Sequence, residues 1–337
     1  MKKMLLGLMT ATALIAGTFS TTMIASAAEG EPALLIDLGG KFDKSFNEAA
    51  FNGAEKWKTE SGKTYMEFEL QNADQREQAL RNFAESGANP IVAVGFGNAD
   101  AVAKLAAEFP DKSFVIVDMV VDAPNVRSVV FKEQEGSYLV GLLAGMASKT
   151  GKGGFVGGMD IPLIRRFGCG YVGGFKAAKA DGEVFQNMAG DTPAAWNDPT
   201  KGGELAKSQI DRGADVIFAA AGQTGLGVLQ AAKDAGKFSV GVDSNQNGIQ
   251  PGSVLTSMLK RVDVAVHAAF TDAQAGKFTP GIVSLGVKEG GIDWALDDNN
   301  KALITPEMTA AVDKAKADII AGTLMVHDYM SDNACPY

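Results

Sequence analysis

From residue 33 onward, short apolar runs alternate with longer stretches whose apolar positions recur every three or four residues. The first kind reads as buried strands and the second as amphipathic helices. The pattern predicts strands over 33–36, 65–70, 90–94, 113–117, 126–131, 154–157, 184–188, 216–220, 239–242 and 254–258. Between them it predicts helices over 47–59, 75–86, 99–109, 133–149, 164–180, 202–212, 225–235 and 262–276. Regular alternation of this kind argues an α/β fold with parallel sheets covered by helices on both faces. The strands are too many for one evenly packed sheet, so two doubly wound lobes are expected, which also suits a chain of 337 residues. No low-complexity linker separates them. Crossings between lobes are expected on plain strand segments, at 129–131, 254–257 and 282–285. The first lobe is then 30–131 plus 259–284, and the second 132–258 plus 285–337.

Residues 1–28 read differently. Lys2 and Lys3 precede an apolar stretch from Met4 to Gly17, and Ala25-Ser26-Ala27 fits the small-residue rule for signal-peptide cleavage, after about Ala27 or Ala28. The apolar run is shorter than the ~20 residues a membrane span needs. An exported, periplasmic chain is expected, with no cysteine near the cleavage site to carry a lipid. Removing Lys2 and Lys3 takes the formal net charge from −9 to −11. So negative a protein is a poor partner for nucleic acid or an anionic membrane surface. Export to an oxidising space permits a disulfide between the two cysteines, Cys169 and Cys335. The alternative is two unpaired buried thiols. The polar tail around Cys335 favours the bridge, which could stabilise by roughly 4–5 kcal/mol through so long a loop.

Candidate chemistry gathers at predicted strand ends. Asp37 follows the first strand, Asp118 the strand at 113–117, Gly222 the strand at 216–220 and Asp243 the strand at 239–242. In open α/β sheets ligands bind at such carboxyl edges. After Asp37 come two rings, Phe42 and Phe46, and an amide, Asn47, with Asp43 or Ser45 placed to cap the next helix. A ring to stack on and acids to accept hydroxyl protons suit a nucleoside or a sugar. Enzyme signatures are lacking in the sequence: there is no G-x-S-x-G elbow and no histidine pair at metal-binding spacing. Of the two histidines, His267 reads as packed within a helix and His327 as a surface residue. Gly151-Lys152-Gly153-Gly154 has neither the spacing nor the Ser/Thr of a phosphate loop. Gly222 to Gly227 follows a strand and opens a helix, without the glycine order of a dinucleotide site.

The run Asp43-Lys44-Ser45-Phe46-Asn47 resembles the basic membrane protein family, substrate-binding proteins of ABC importers that include purine nucleoside receptors. Ile116-Val117-Asp118, Ile161-Pro162-Leu163-Ile164-Arg165-Arg166-Phe167, Trp196-Asn197-Asp198-Pro199, Ala220-Ala221-Gly222, Gly241-Val242-Asp243 and Ser257-Met258-Leu259-Lys260 extend the likeness over nearly the whole chain after the leader. The resemblance implies a type I periplasmic-binding fold with three crossovers, and a monomer that closes on a small molecule and delivers it to ABC membrane subunits. It implies no cofactor, no metal and no catalysis. It places a purine base between Phe46 and Trp196, the latter standing where the receptors carry phenylalanine. Asn47 and Asp118 then meet the base edge, and Asp37, Gly222, Asp243 and Lys260 the ribose. The absence of a cysteine at the leader's end departs from lipoprotein members. The same fold with a free purine base, a sugar or another small polar ligand is the alternative.

Overall fold

The protein's computed structural model describes residues 30–337, so the leader lies outside the described residues. In chain order the elements are β1 (Ala33–Ile36), α1 (Phe46–Ser61), β2 (Met66–Glu69), α2 (Gln75–Glu85), β3 (Ile91–Ala93), α3 (Ala99–Glu108), β4 (Phe114–Val117) and β5 (Val126–Phe131). There follow α4 (Glu133–Ala147), β6 (Lys152–Met159), α5 (Pro162–Ala178), β7 (Glu183–Gly190), α6 (Pro199–Asp211), β8 (Val216–Ala220), α7 (Thr224–Asp234), β9 (Phe238–Asp243) and β10 (Val254–Lys260). The chain ends with α8 (Val262–Gln274), β11 (Gly281–Leu285), β12 (Ile292–Trp294) and α9 (Pro306–Ala321).

The strands form two six-stranded sheets, ordered β11-β5-β4-β3-β1-β2 and β12-β10-β9-β8-β6-β7. Every pairing is parallel except that of β10 with β12. The two orders correspond strand for strand, so β4 in one sheet occupies the place of β9 in the other. Central strands β1, β3, β4 and β8 are buried along their whole length. That is why they are unbroken apolar runs rather than alternating ones. The edge strand β11 presents Ile282 to solvent.

The chain passes between sheets at Lys132, at Arg261 and over 286–291. Backbone hydrogen bonds tie these passages to each other's flanks, from Lys132 N–H to Leu285 O (3.0 Å) and from Arg261 N–H to Gly291 O (2.8 Å). The crossing expected at 254–257 is displaced, because 254–260 is one uninterrupted strand of the second sheet. Leu259 and Lys260, allotted to the first lobe, therefore belong to the second sheet, and Leu285 completes the first. β10 can run on through a lysine at 260 because its charge is neutralised inside the protein.

Helices α4 and α5 pack so closely that their backbones touch. A Cβ at Gly174 would lie 2.0 Å from Tyr138 O, and one at Gly141 would lie 2.3 Å from Tyr171 O. The opposite side of α5 carries Cys169, bonded to Cys335 of the tail with their Cα atoms 5.6 Å apart. Two elements escaped the periodicity, β12 and α9. The latter did announce itself in sequence: Thr305 caps it by accepting the Met308 N–H, and Pro306 is its first residue. His267 does more than pack, since its Nε2 lies 2.7 Å from Glu60 and links α8 to α1. His327 is half-buried rather than freely exposed, with its ring against Asp332 and Ala334 O.

Gly174→Ala should cost about 1–3 kcal/mol, because the atom it meets is a carbonyl oxygen that no rotamer change can move away. The midpoint of urea unfolding measures this, and an unchanged midpoint would mean that the two helices can separate freely.

Candidate functional site

The carboxyl ends of the two sheets face one another across a cleft of about 640 Å³, counted to include its mouth. Asp37, Phe46, Asn47, Asp118, Trp196, Gly222, Asp243 and Lys260 all line it. Sequence reasoning missed Asp43, Phe96, Leu163, Ile164 and Phe167 as further wall residues. Phe96 comes three residues after the end of β3, beyond Val94 and Gly95, so the strand-end logic that found Asp118 points only to its neighbourhood. Leu163, Ile164 and Phe167 lie within a quoted motif but carry no polar group to draw notice.

On the first-lobe side, Asp43 rather than Ser45 caps α1. Its carboxylate accepts the N–H groups of Ser45, Asn47 and Glu48 at 2.8–3.1 Å. Burial nevertheless pushes the Asp43 carboxyl up to about 7 against those three donors. The cap fixes Phe46 and Asn47 as the first two residues of α1. Asn47 spends its Nδ2 on the backbone, donating to Asp37 O, Leu38 O and Gly40 O at 3.2–3.3 Å. Its Oδ1 is buried without a hydrogen-bond partner. Asp37 is not free for a ligand alone, because Arg76 of α2 reaches its carboxylate at 3.1 Å. Burial raises the Asp37 pKa, opposed by the Leu38 backbone and by Arg76.

Asp118 and Asp243 end the equivalent strands β4 and β9, and both adopt left-handed backbone angles, φ 70° and 63°. Non-glycine residues held there store strain of order 1–3 kcal/mol, and such strain concentrates at functional sites. Asp118 Oδ2 accepts from Lys260 Nζ at 2.6 Å, while Asp118 Oδ1 is buried with no partner. Asp243 accepts the Ser45 hydroxyl from the other lobe. Ser244 Oγ donates to Ser45 O and Gln246 Nε2 to Lys44 O, both at 2.9 Å. These three bonds span the cleft, so the described form is a closed one.

Trp196 ends a 3₁₀ turn, Pro193–Trp196, in the second lobe. Its indole lies against Gly158, where a Cβ would come within 2.1 Å of Cζ3. Only a glycine at this position near the end of β6 allows the ring to lie so close to the backbone. Gly222, at φ 56°, passes beside the Trp196 carbonyl on the same wall.

Lys260 is only 2% exposed. Its ammonium lies 2.6 Å from Asp118 and 2.9 Å from Glu133 Oε1. The rings of Phe46, Phe131 and Phe167 surround it at 5.1–5.6 Å. Burial opposes its charge, but the Asp118, Glu133 and Asp243 carboxylates outweigh burial and hold its pKa above the ordinary lysine value. Burial likewise lifts Asp118 to about 6 despite the pull of Lys260. For Asp243 burial raises the pKa, with Lys260 and the Ser45 hydroxyl opposing. Glu133 and its second partner, Arg166, were not read from the sequence as part of this centre.

A family model described as ABC transporter substrate-binding protein, PnrA-like, matches residues 32–327. The ABC transporter nucleoside-binding protein BmpA of Lactococcus lactis is 35% identical over 317 residues, covering 87% of this chain and 88% of that one. An uncharacterised lipoprotein of Pyrococcus horikoshii is 33% identical over 278 residues, 79% of this chain and 69% of its own. A solved ABC transporter solute-binding protein from Aeropyrum pernix superposes with a TM-score of 0.81 at 30% identity, over 88% of this chain and 93% of that one.

Lys260→Met should destabilise the fold by about 3–5 kcal/mol, since it leaves buried Asp118 without its cation and Glu133 with Arg166 alone. Urea unfolding at pH 7 reads this directly; a loss under about 1 kcal/mol would show that water reaches the pair and screens it.

Proposed function

The chain belongs to the PnrA-like family of ABC transporter substrate-binding proteins, the basic membrane protein family, and from that premise we propose that its cleft binds a purine nucleoside. Members of this family are extracytoplasmic and have the two-lobed fold of periplasmic binding proteins; they pass small molecules to the membrane subunits of an importer rather than transform them.

One observation carries the choice of ligand. Asn47 Oδ1 and Asp118 Oδ1 are two buried acceptors without donors, in a cleft that also has Phe46 and Trp196 on its walls. An unsatisfied buried acceptor costs about 1–3 kcal/mol. A flat heteroaromatic ring with N–H groups on one edge would satisfy both while stacking on an aromatic wall. Stacking adds about 1–3 kcal/mol per base. The pentose then lies toward Asp37, Gly222, Asp243 and Lys260. Asp243 already accepts a hydroxyl proton, from Ser45, as it would from a ribose hydroxyl. The name of the Lactococcus relative, a nucleoside-binding protein, agrees. A free purine base, a sugar or another small polar ligand remains the second reading, favoured by the pairing of Asp37 with Arg76, which leaves one carboxylate fewer for the ribose. Residues 1–28 are proposed as the export leader, delivering a monomer to the periplasm, and the cleft as a binding site without chemistry.

A thermal-shift panel of guanosine, inosine, adenosine, hypoxanthine and ribose tests the reading. A nucleoside at 100 times its dissociation constant should stabilise by ~2.7 kcal/mol. A shift with ribose and none with any nucleoside would contradict it. Trp196→Ala should weaken nucleoside affinity by about 5- to 150-fold, the equivalent of one lost stacking contact. The unliganded melting temperature should fall as well, because the indole packs on Gly158, so affinity is measured at a temperature where the variant is folded; equal affinity there would remove the indole from the site. Affinity should also fall as the pH drops through about 6, where Asp118 takes up a proton and loses its charge. Isothermal titration between pH 5 and 8 measures this, and a flat profile would remove the Asp118 carboxylate from recognition.

A further inference from the structure

Helix α5 carries Arg166, Cys169 and Gly173 at spacings of three and four, which places them on one stripe of the helix. The C-terminal tail lies along that stripe. Arg166 Nε and Nη2 meet the two oxygens of Asp328 at 2.8 and 2.9 Å. Cys169 is bonded to Cys335. Gly173 makes room for the Tyr337 ring, which a Cβ would meet at 2.6 Å. The tail is also tied to itself. Its His327 N–H donates to the Tyr337 hydroxyl at 3.2 Å, and the His327 ring contacts Asp332 and Ala334 O at 3.1 and 3.0 Å. The disulfide and these bonds together hold Asp328 over the guanidinium.

The remaining donor of Arg166 points inward. Nη1 donates to Glu133 Oε2 at 2.8 Å and to Phe131 O, at the first crossing between sheets, at 2.9 Å. Glu133 is fully buried, and its other oxygen lies 2.9 Å from Lys260 Nζ. Lys260 in turn holds Asp118 Oδ2 at 2.6 Å and so leaves Asp118 Oδ1 for the cleft. A guanidinium is a rigid planar fork. When Asp328 takes two of its nitrogens, the direction of the third is fixed. Without Asp328 the fork can turn away from Glu133, and an unpartnered buried Glu133 draws the Lys260 ammonium away from Asp118.

We propose that the disulfide-anchored tail is a positioning element of the ligand cleft, with Asp328 setting Arg166, Arg166 setting Glu133 and Lys260, and Lys260 setting Asp118. The tail thus affects ligand affinity without touching the ligand. This rests on the reading of the cleft as a nucleoside site, and two readouts keep the questions apart. Guanosine affinity by isothermal titration and amide hydrogen exchange of the ligand-free chain would be measured for the full wild-type protein, Asp328→Asn, Asp328→Glu, Cys335→Ser and the double variant Cys335→Ser/Asp328→Asn.

The expected result is guanosine binding weakened about 3- to 30-fold in Asp328→Asn, the range of couplings carried through packed networks. Asp328→Glu should restore most of it. Cys335→Ser should move affinity the same way, and the double variant should be no weaker than Asp328→Asn alone. Exchange at residues 117–121 and 259–261 should quicken in Asp328→Asn while β1 stays protected. A lowered melting temperature with wild-type affinity and wild-type exchange at 117–121 would make the tail a structural brace and overturn the proposal. If the wild type binds no nucleoside, the functional reading falls, and exchange at 117–121 decides the tail by itself. If Asp328→Asn does not fold, Cys335→Ser carries the same two readouts, and unchanged values there overturn the proposal equally.

Discussion

The structure is organised around one buried cation. Lys260 ends β10 in the second sheet, yet one of its partners, Asp118, ends β4 in the first. Glu133 follows the first crossing and supplies the other carboxylate. Taking an ammonium out of water costs several kcal/mol, and only well-placed carboxylates offset that cost. The charge therefore has one satisfactory position, with the two lobes drawn together over it. A buried pair of this kind is a poor source of stability, since an apolar replacement often does as well. Its effect is geometric. It fixes where the lobes meet, and it turns one oxygen of Asp118 toward the cleft and the other away.

The cleft then combines strain, orphaned acceptors and closure. The two sheets repeat the same strand order, and in both the strand at the equivalent place ends in an aspartate with positive φ. That repetition puts Asp118 and Asp243 on facing edges. Asp118 and Asn47 offer unsatisfied acceptors, whereas Asp243 is occupied by Ser45 across the gap. The Ser45, Ser244 and Gln246 contacts link loops of opposite lobes beside the cleft. Asp243 lines the cleft and also holds Ser45 of the other lobe, so one side chain belongs both to the cleft wall and to the contact that keeps the lobes closed.

Much of this was legible in the chain. Buried parallel strands are apolar runs, so β1, β3, β4 and β8 stood out and carried Asp37, Asp118 and Gly222 with them. What the sequence hid was partnership over long separations. Nothing near Asp37 marks Arg76 as its ion pair, and nothing near Lys260 marks Glu133. The strand read as 254–258 runs on through Leu259 and Lys260, which moves the crossing to Arg261. β12 is three residues long and antiparallel, too short for its period to show. In α9 the apolar positions Met308, Val312, Ala315 and Ile319 recur at spacings of four, three and four, and the Thr305-Pro306 start was readable as well. Ser45 and Asp43 could not be separated as caps in sequence; the three N–H groups that Asp43 accepts, with the Ser45 hydroxyl given to Asp243, assign the capping to Asp43.

The most direct test is a crystal structure grown with inosine. The account predicts the base between Phe46 and Trp196, with its ring N–H within hydrogen-bond reach of Asp118 Oδ1 or Asn47 Oδ1 and its ribose beside Asp243. An empty cleft at saturating inosine, or a base lying away from both rings, would contradict it.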